Sequence, residues 1–199
     1  MNYTDYTWFT QHRLYYAFCL TSVKGIDPPE ALRRLDAQDV ERLSGLDAFM
    51  QYAEKNFPFH THNPYAIGAT ALDGGTLLVE YNGFLGTRRQ LAGPLSVGTD
   101  VATHSSNVDR DGNFLWLRDG EVRLEFDPMF PCWRSGSDPD SLVDVLREIG
   151  YDLSDDEDHD YEHYTEKTMV LSEYLTGLRL TEELLNNAEY LSSLVTLPR

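Results

Sequence analysis

Two pairs of histidines and one run of carboxylates hold most of the chemistry this chain offers. His60 and His62 stand two residues apart in a proline-containing loop, and His159 and His163 stand four apart beside Asp160 and Glu162. On a helix the four-residue spacing sets two imidazoles on one face, as zinc coordination requires. The HExxH pattern is missing, however, and Cys19 and Cys132 are too isolated to complete a ligand set. The carboxylate run covers residues 152–166, DLSDDEDHDYEHYTE. It has eight Asp or Glu and no Lys or Arg, so it carries −8 of a net charge of −17. A calcium loop alternates its oxygen ligands about a glycine turn, and this run has no glycine. Neither a metal nor a cofactor is expected.

An acidic field of this density repels nucleic acid and anionic membrane and attracts basic protein surfaces. Asp155, Asp156, Glu157, Asp158, Asp160 and Glu162 are therefore the candidate partner-binding residues. The competing reading of the run is a solvated linker. Tyr151, Tyr161 and Tyr164 flank it, and Tyr3, Tyr6, Trp8 and Phe9 cluster at the N-terminus. Aromatic rings among carboxylates suit a protein-binding surface, because the rings supply contact area while the charges steer. The plainer role for most of these rings is to fill the core.

Other chemistries find less support. GFLGTRR, residues 83–89, sets two glycines ahead of two arginines, but it is neither a Walker A loop nor a GxGxxG fingerprint, and a chain of −17 repels phosphate. No GxSxG elbow occurs. His104, Ser105 and Ser106 share one predicted strand, where alternation lets His104 approach Ser106 but not Ser105. Cys132-Trp133 lacks the flanking pattern of papain-like enzymes.

The elements that must position these groups read as a single α+β domain over residues 1–199. Its sheet is expected to be antiparallel, of about five or six strands, with helices on one face and a C-terminal helical pair. Residues 13–23 form the first predicted strand, stopped by Gly25. Asp27-Pro28-Pro29 opens a short helix, and a second helical pattern runs over residues 39–53. Residues 65–72 and 76–81 flank the Asp73-Gly74-Gly75 turn. A single helical turn is expected at 87–91 and a strand at 99–106. In FLWLRDGEVRLEF, residues 114–126, the Asp119-Gly120 turn predicts that Leu115, Leu117, Val122 and Leu124 share one core-facing side. Asp138-Pro139 reads as a helix start and Gly150 as its end. The acidic run is a linker at 152–166, and residues 166–195 are a helical segment with patterns at 166–175 and 181–191.

The order of several segments resembles an uncharacterised actinobacterial family of soluble α+β domains. The segments are VEYNGFLGT (79–87), LSVGT (95–99), EFDPMFP (125–131), DPDSL (138–142) and LTGLRLTEELL (175–185). The likeness runs from about residue 14 to 186. It implies a fold and no chemistry, since that family has no assigned activity, cofactor or catalytic residues.

The apolar stretch at 14–23 is too short to span a bilayer, no targeting signature leads the chain, and two lone cysteines fit a reducing compartment. The expected location is the cytoplasm. The expected function is a non-enzymatic acidic domain that binds a basic protein, in its sharpest form an immunity protein that occludes a basic toxin such as a nuclease. A hydrolase using His60 and His62 with acidic residues of the run is the second reading. An inhibitor that mimics the charge of DNA to block a nucleic-acid-binding complex is the third.

Overall fold

Turn chemistry lays out the middle of the chain. A computed structural model describes residues 2–57, 64–156 and 158–196. In it, Asp119 and Gly120 both take positive φ, 51° and 79°, the two-residue geometry that matches the twist of paired strands. They join β6 (Gly112–Arg118) to β7 (Glu121–Phe126). Asp73-Gly74 likewise joins β3 (Tyr65–Leu72) to β4 (Gly75–Tyr81). With β1 (Phe18–Lys24), β2 (Gln38–Ser44), β5 (Asp100–Ser106) and β8 (Glu189–Val195) they form one open antiparallel sheet of eight strands, ordered β2-β8-β3-β4-β1-β5-β6-β7.

The expectation of five or six strands is corrected by the two strands the sequence hides. QDVERLS, residues 38–44, is rich in helix-forming residues yet pairs with β8, its register broken between Gln38 and Glu41. EYLSSLV, residues 189–195, was predicted to be helical. It lies between β2 and β3, which together supply its hydrogen bonds. The C-terminal helical pair is therefore helix, helix, strand. Residues 13–16 are a 3₁₀ turn that precedes β1 rather than part of it.

Among the described residues the α-helices are α1 (Pro28–Arg34), α2 (Gly45–Lys55), α3 (Arg89–Leu95), α4 (Val143–Ile149), α5 (Tyr164–Thr176) and α6 (Glu182–Asn187). Asp27 caps α1 by accepting from Glu30 N at 2.9 Å, with Pro28 in the first turn. Asp138 caps nothing in α4, which begins at Val143. Its carboxylate instead accepts from Arg123 at 2.8 Å.

The helices cover both faces of the sheet, not one. Phe18, Leu20, Val79, Phe114 and Trp116 pack with residues of α2, α4, α5 and α6. Val23, Ile67, Leu78, Val101, Leu115 and Leu117 pack with residues of α1 and α3. The predicted aliphatic side of the β6–β7 hairpin is split between these cores. Arg118 faces Glu121 and Leu117 faces Val122 as the turn dictates, but a bulge then sets Trp116 opposite Leu124. One extra residue reverses the alternation. Leu124 therefore joins the Trp116 side, while Leu115, Leu117 and half-buried Val122 stay on the other. The bulge lies where residues 135–138 bind the outer edge of β7, with Glu125 N donating to Ser135 O at 2.8 Å and Asp138 N to Arg123 O at 3.1 Å.

Candidate protein-binding surface

The acidic run follows α4 and leads into α5, and its own side chains fold it. The Asp152 carboxylate accepts from Ser154 N at 2.9 Å and Asp160 N at 3.0 Å. These backbone donors hold its pKa down at about 2, so it stays charged and the turn stays closed. Asp160 accepts from Glu162 N at 2.8 Å and lies 3.8 Å from Lys167 Nζ on buried α5. The described residues between 152 and 162 thus form a hydrogen-bonded turn on the body of the domain.

His159 fastens this turn to the segment after β7. Its Nε2 lies 2.8 Å from Met129 O and its Nδ1 3.1 Å from Asp156 O. Two carbonyl oxygens call for two N–H donors, which is the imidazolium form. The Met129 bond leads the causes that raise the His159 pKa, with the Asp152 and Asp155 charges adding to it.

The contact assembles a row of rings. Trp133 stacks on Phe130 with centroids 5.7 Å apart, Phe130 meets His159 at 5.3 Å, and His159 meets Tyr161 at 5.8 Å. Trp133 is 67% exposed and Tyr161 54%. A cleft beside them is lined by Phe130, Cys132, Trp133, Ser154, Asp155, Asp156 and His159. Of the predicted partner-binding residues, Asp155, Asp156, Asp158, Asp160 and Glu162 are all exposed around the row. Only Asp160 among them is ion-paired to a described Lys or Arg. Glu157 lies outside the described residues.

The sequence reading chose the carboxylates and Tyr161 but missed Trp133 and Phe130. Its one available signal was EFDPMFPCW, where prolines force a turn and leave two rings with no regular element to pack on.

The other predicted chemistries come out as follows. His60 and His62 lie outside the described residues, so the hydrolase pair has no described geometry. His159 and His163 do not converge: His163 stacks on Tyr3 at 5.0 Å and faces Glu166 at 3.3 Å. Among the described residues no group of three or more His, Cys, Asp and Glu could hold a metal ion. Cys132 Sγ lies 3.9 Å from Asp155 Oδ1 and shares the cleft with His159. With both nitrogens turned to carbonyls, that imidazole offers the thiol no basic atom. His104 and Ser106 share a face, but neither His104 nitrogen has a hydrogen-bond partner among the described residues.

Glu80, Asp100 and Glu166 are buried carboxylates, and Glu80 is the most enclosed of them. Glu80 is 1% exposed and accepts from Leu85 N at 2.7 Å and Gly86 N at 2.9 Å. Burial raises its pKa to about 7 against these bonds. Both glycines of the NGFLG loop follow from this packing. A Cβ on Gly83 would lie 2.7 Å from the Glu80 carboxylate, and one on Gly86 would lie 2.2 Å from Thr21 Oγ1. The GFLGTRR segment therefore folds onto a carboxylate of its own chain, which occupies the amide groups a phosphate would need.

The model of a family of unknown function, DUF6461, matches residues 1–199, and the chain belongs to that family. Comparison with curated proteins and with solved structures gave no match.

Proposed function

For this member of a family of unknown function, we propose an acidic protein-binding domain whose surface is the ring row Trp133–Phe130–His159–Tyr161 and the carboxylates around it. The observation that carries the reading is the pairing of two exposed aromatic anchors with exposed carboxylates, of which only Asp160 is ion-paired to a described Lys or Arg. Such rings provide the buried centre of an interface, and surrounding charge speeds encounter with a partner of opposite sign. The complementary partner is a basic protein whose Arg or Lys side chains stack on Trp133 or Tyr161 while meeting Asp155 and Asp156.

The finer form of the proposal is an inhibitor, such as an immunity protein, that occludes the active site of a basic toxin. A nuclease is the most fitting target, because its site is electropositive in order to hold phosphates. The His159 geometry also withholds the base that a Cys132 nucleophile would need. Among the described residues no helix is long and apolar enough to cross a membrane. The cytoplasm is proposed on a separate ground, the free thiols of Cys19 and Cys132, which suit a reducing compartment.

The test is capture of partners from the native cell with tagged wild-type protein and with Trp133→Ala. The proposal expects a basic protein retained by wild type and lost from the variant. Equal retention of every captured protein would contradict it.

A further inference from the structure

The face of the sheet that carries α5 has a small, partly open cavity beneath the 3₁₀ turn Tyr3–Tyr6 and residues 178–180. Leu20, Leu77 and Met169 give it apolar walls, and Ser22, His104 and Ser172 give it polar ones. The space open to a water-sized sphere is ≈ 20 Å³. One water needs about 10–15 Å³ by this measure, so the cavity has room for one such molecule.

His104 is 2% exposed, and neither ring nitrogen has a hydrogen-bond partner among the described residues. Burial drives its pKa down to about 3, which leaves a neutral ring with one N–H and one bare nitrogen. The Phe18 ring stands perpendicular to it, with centroids 4.9 Å apart. An aromatic face can receive an N–H, but it gives nothing to the bare nitrogen. A buried polar atom without a partner is rare because water satisfied it in the unfolded chain.

The two hydroxyls are placed to help. Ser22 pairs with Ala102, and His104 with Leu20, so Ser22 and His104 are diagonal neighbours on one face. Ser172 spends its own hydrogen on Thr168 O at 3.0 Å, which leaves its oxygen free to accept.

We infer that this cavity is a built site for one structural water, held by His104, Ser22 and Ser172. The water donates to the bare nitrogen of His104 and to Ser172 Oγ, and accepts from the Ser22 hydroxyl. It links the centre of the sheet to α5, the helix that the acidic turn leads into. The inference stands on the cavity and its polar walls, independently of the proposed function.

The test is a high-resolution crystal structure of the full chain, determined with and without xenon pressure. Wild type should show one density peak about 2.7–3.2 Å from a His104 nitrogen, unchanged under xenon. His104→Leu leaves the water only the two serine hydroxyls as partners, and its cavity should lose that peak. A wild-type cavity that lacks the peak, or that takes up xenon, overturns the inference. Nuclear Overhauser contacts between the His104 ring and a long-lived water need only the wild-type protein. Their presence supports the site, and their absence counts against it even if the variant does not fold.

Discussion

Glu80 and the 152–162 turn place the same functional group in opposite surroundings. Glu80 lies inside the sheet with no cation, and desolvation moves its pKa up to about 7 although two backbone amides donate to it. Asp152 also accepts from two backbone amides, but near solvent, and its pKa is held at about 2. Similar donors leave one carboxylate easy to protonate and the other permanently charged, so burial decides the outcome. The inner carboxylate holds a loop together. The outer ones leave their charge free for another molecule.

The largest effect that would break this contrast comes from removing the inner group. Glu80→Ala leaves the amides of Leu85 and Gly86 buried without an acceptor, and should cost about 2–5 kcal/mol in urea denaturation. A loss below about 1 kcal/mol would mean that the loop does not depend on Glu80.

The pH dependence follows from the same group. Its folded pKa of about 7 lies above the ordinary 4.5. The folded state therefore holds the proton more tightly, and the contribution is complete below pH 4.5 and lost as pH rises through 7. The difference corresponds to about 3 kcal/mol. Stability measured from pH 4.5 to 8 should fall by this much more in wild type than in Glu80→Gln. Parallel curves would show that Glu80 is charged throughout.

Gly86→Ala sharpens the packing side of the comparison. Its Cβ would lie 2.2 Å from Thr21 Oγ1 and 2.9 Å from Cys19 Sγ, an overpacking expected to cost about 1–3 kcal/mol. Thermal denaturation that matches wild type would show that the loop has room to move.

The outer carboxylates should give the smallest effect on folding. Replacing Asp155, Asp156, Glu157, Asp158 and Asp160 with Asn or Gln should change stability by no more than about 1 kcal/mol, because Asp155, Asp156 and Asp158 are exposed and unpaired and only Asp160 loses an ion pair, to Lys167. A loss of several kcal/mol would make the run part of the folding core rather than a surface.

The two regions also differed in how far the sequence disclosed them. The strands at 65–72 and 75–81 and the Asp119-Gly120 hairpin were legible because glycine turns and alternation act locally. β2 and β8 were not, since QDVERLS and EYLSSLV become strands only by pairing across more than a hundred residues. The bulge at the β6–β7 hairpin was hidden for the same reason: residues 135–138 bind there from outside the hairpin. At the surface, composition alone exposed the carboxylates. Trp133 and Phe130 joined them only through the contact of His159 with Met129 O, a partner thirty residues away. Glu80 stands out in the sequence as a charge in an apolar strand, LLVEY, with two glycines, Gly83 and Gly86, in the loop that follows.

The reading of the outer surface rests most directly on how fast it meets a partner. With the basic protein captured by wild type, association should be timed by stopped flow from about 50 mM to about 300 mM salt, over which screening shortens to within roughly 6 Å. The account predicts that the wild-type rate falls about tenfold or more across this range. It also predicts that the variant with five neutralised carboxylates associates slowly and with little dependence on salt. If that variant binds the same partner at the wild-type rate at every salt concentration, the 152–162 turn is not a docking surface.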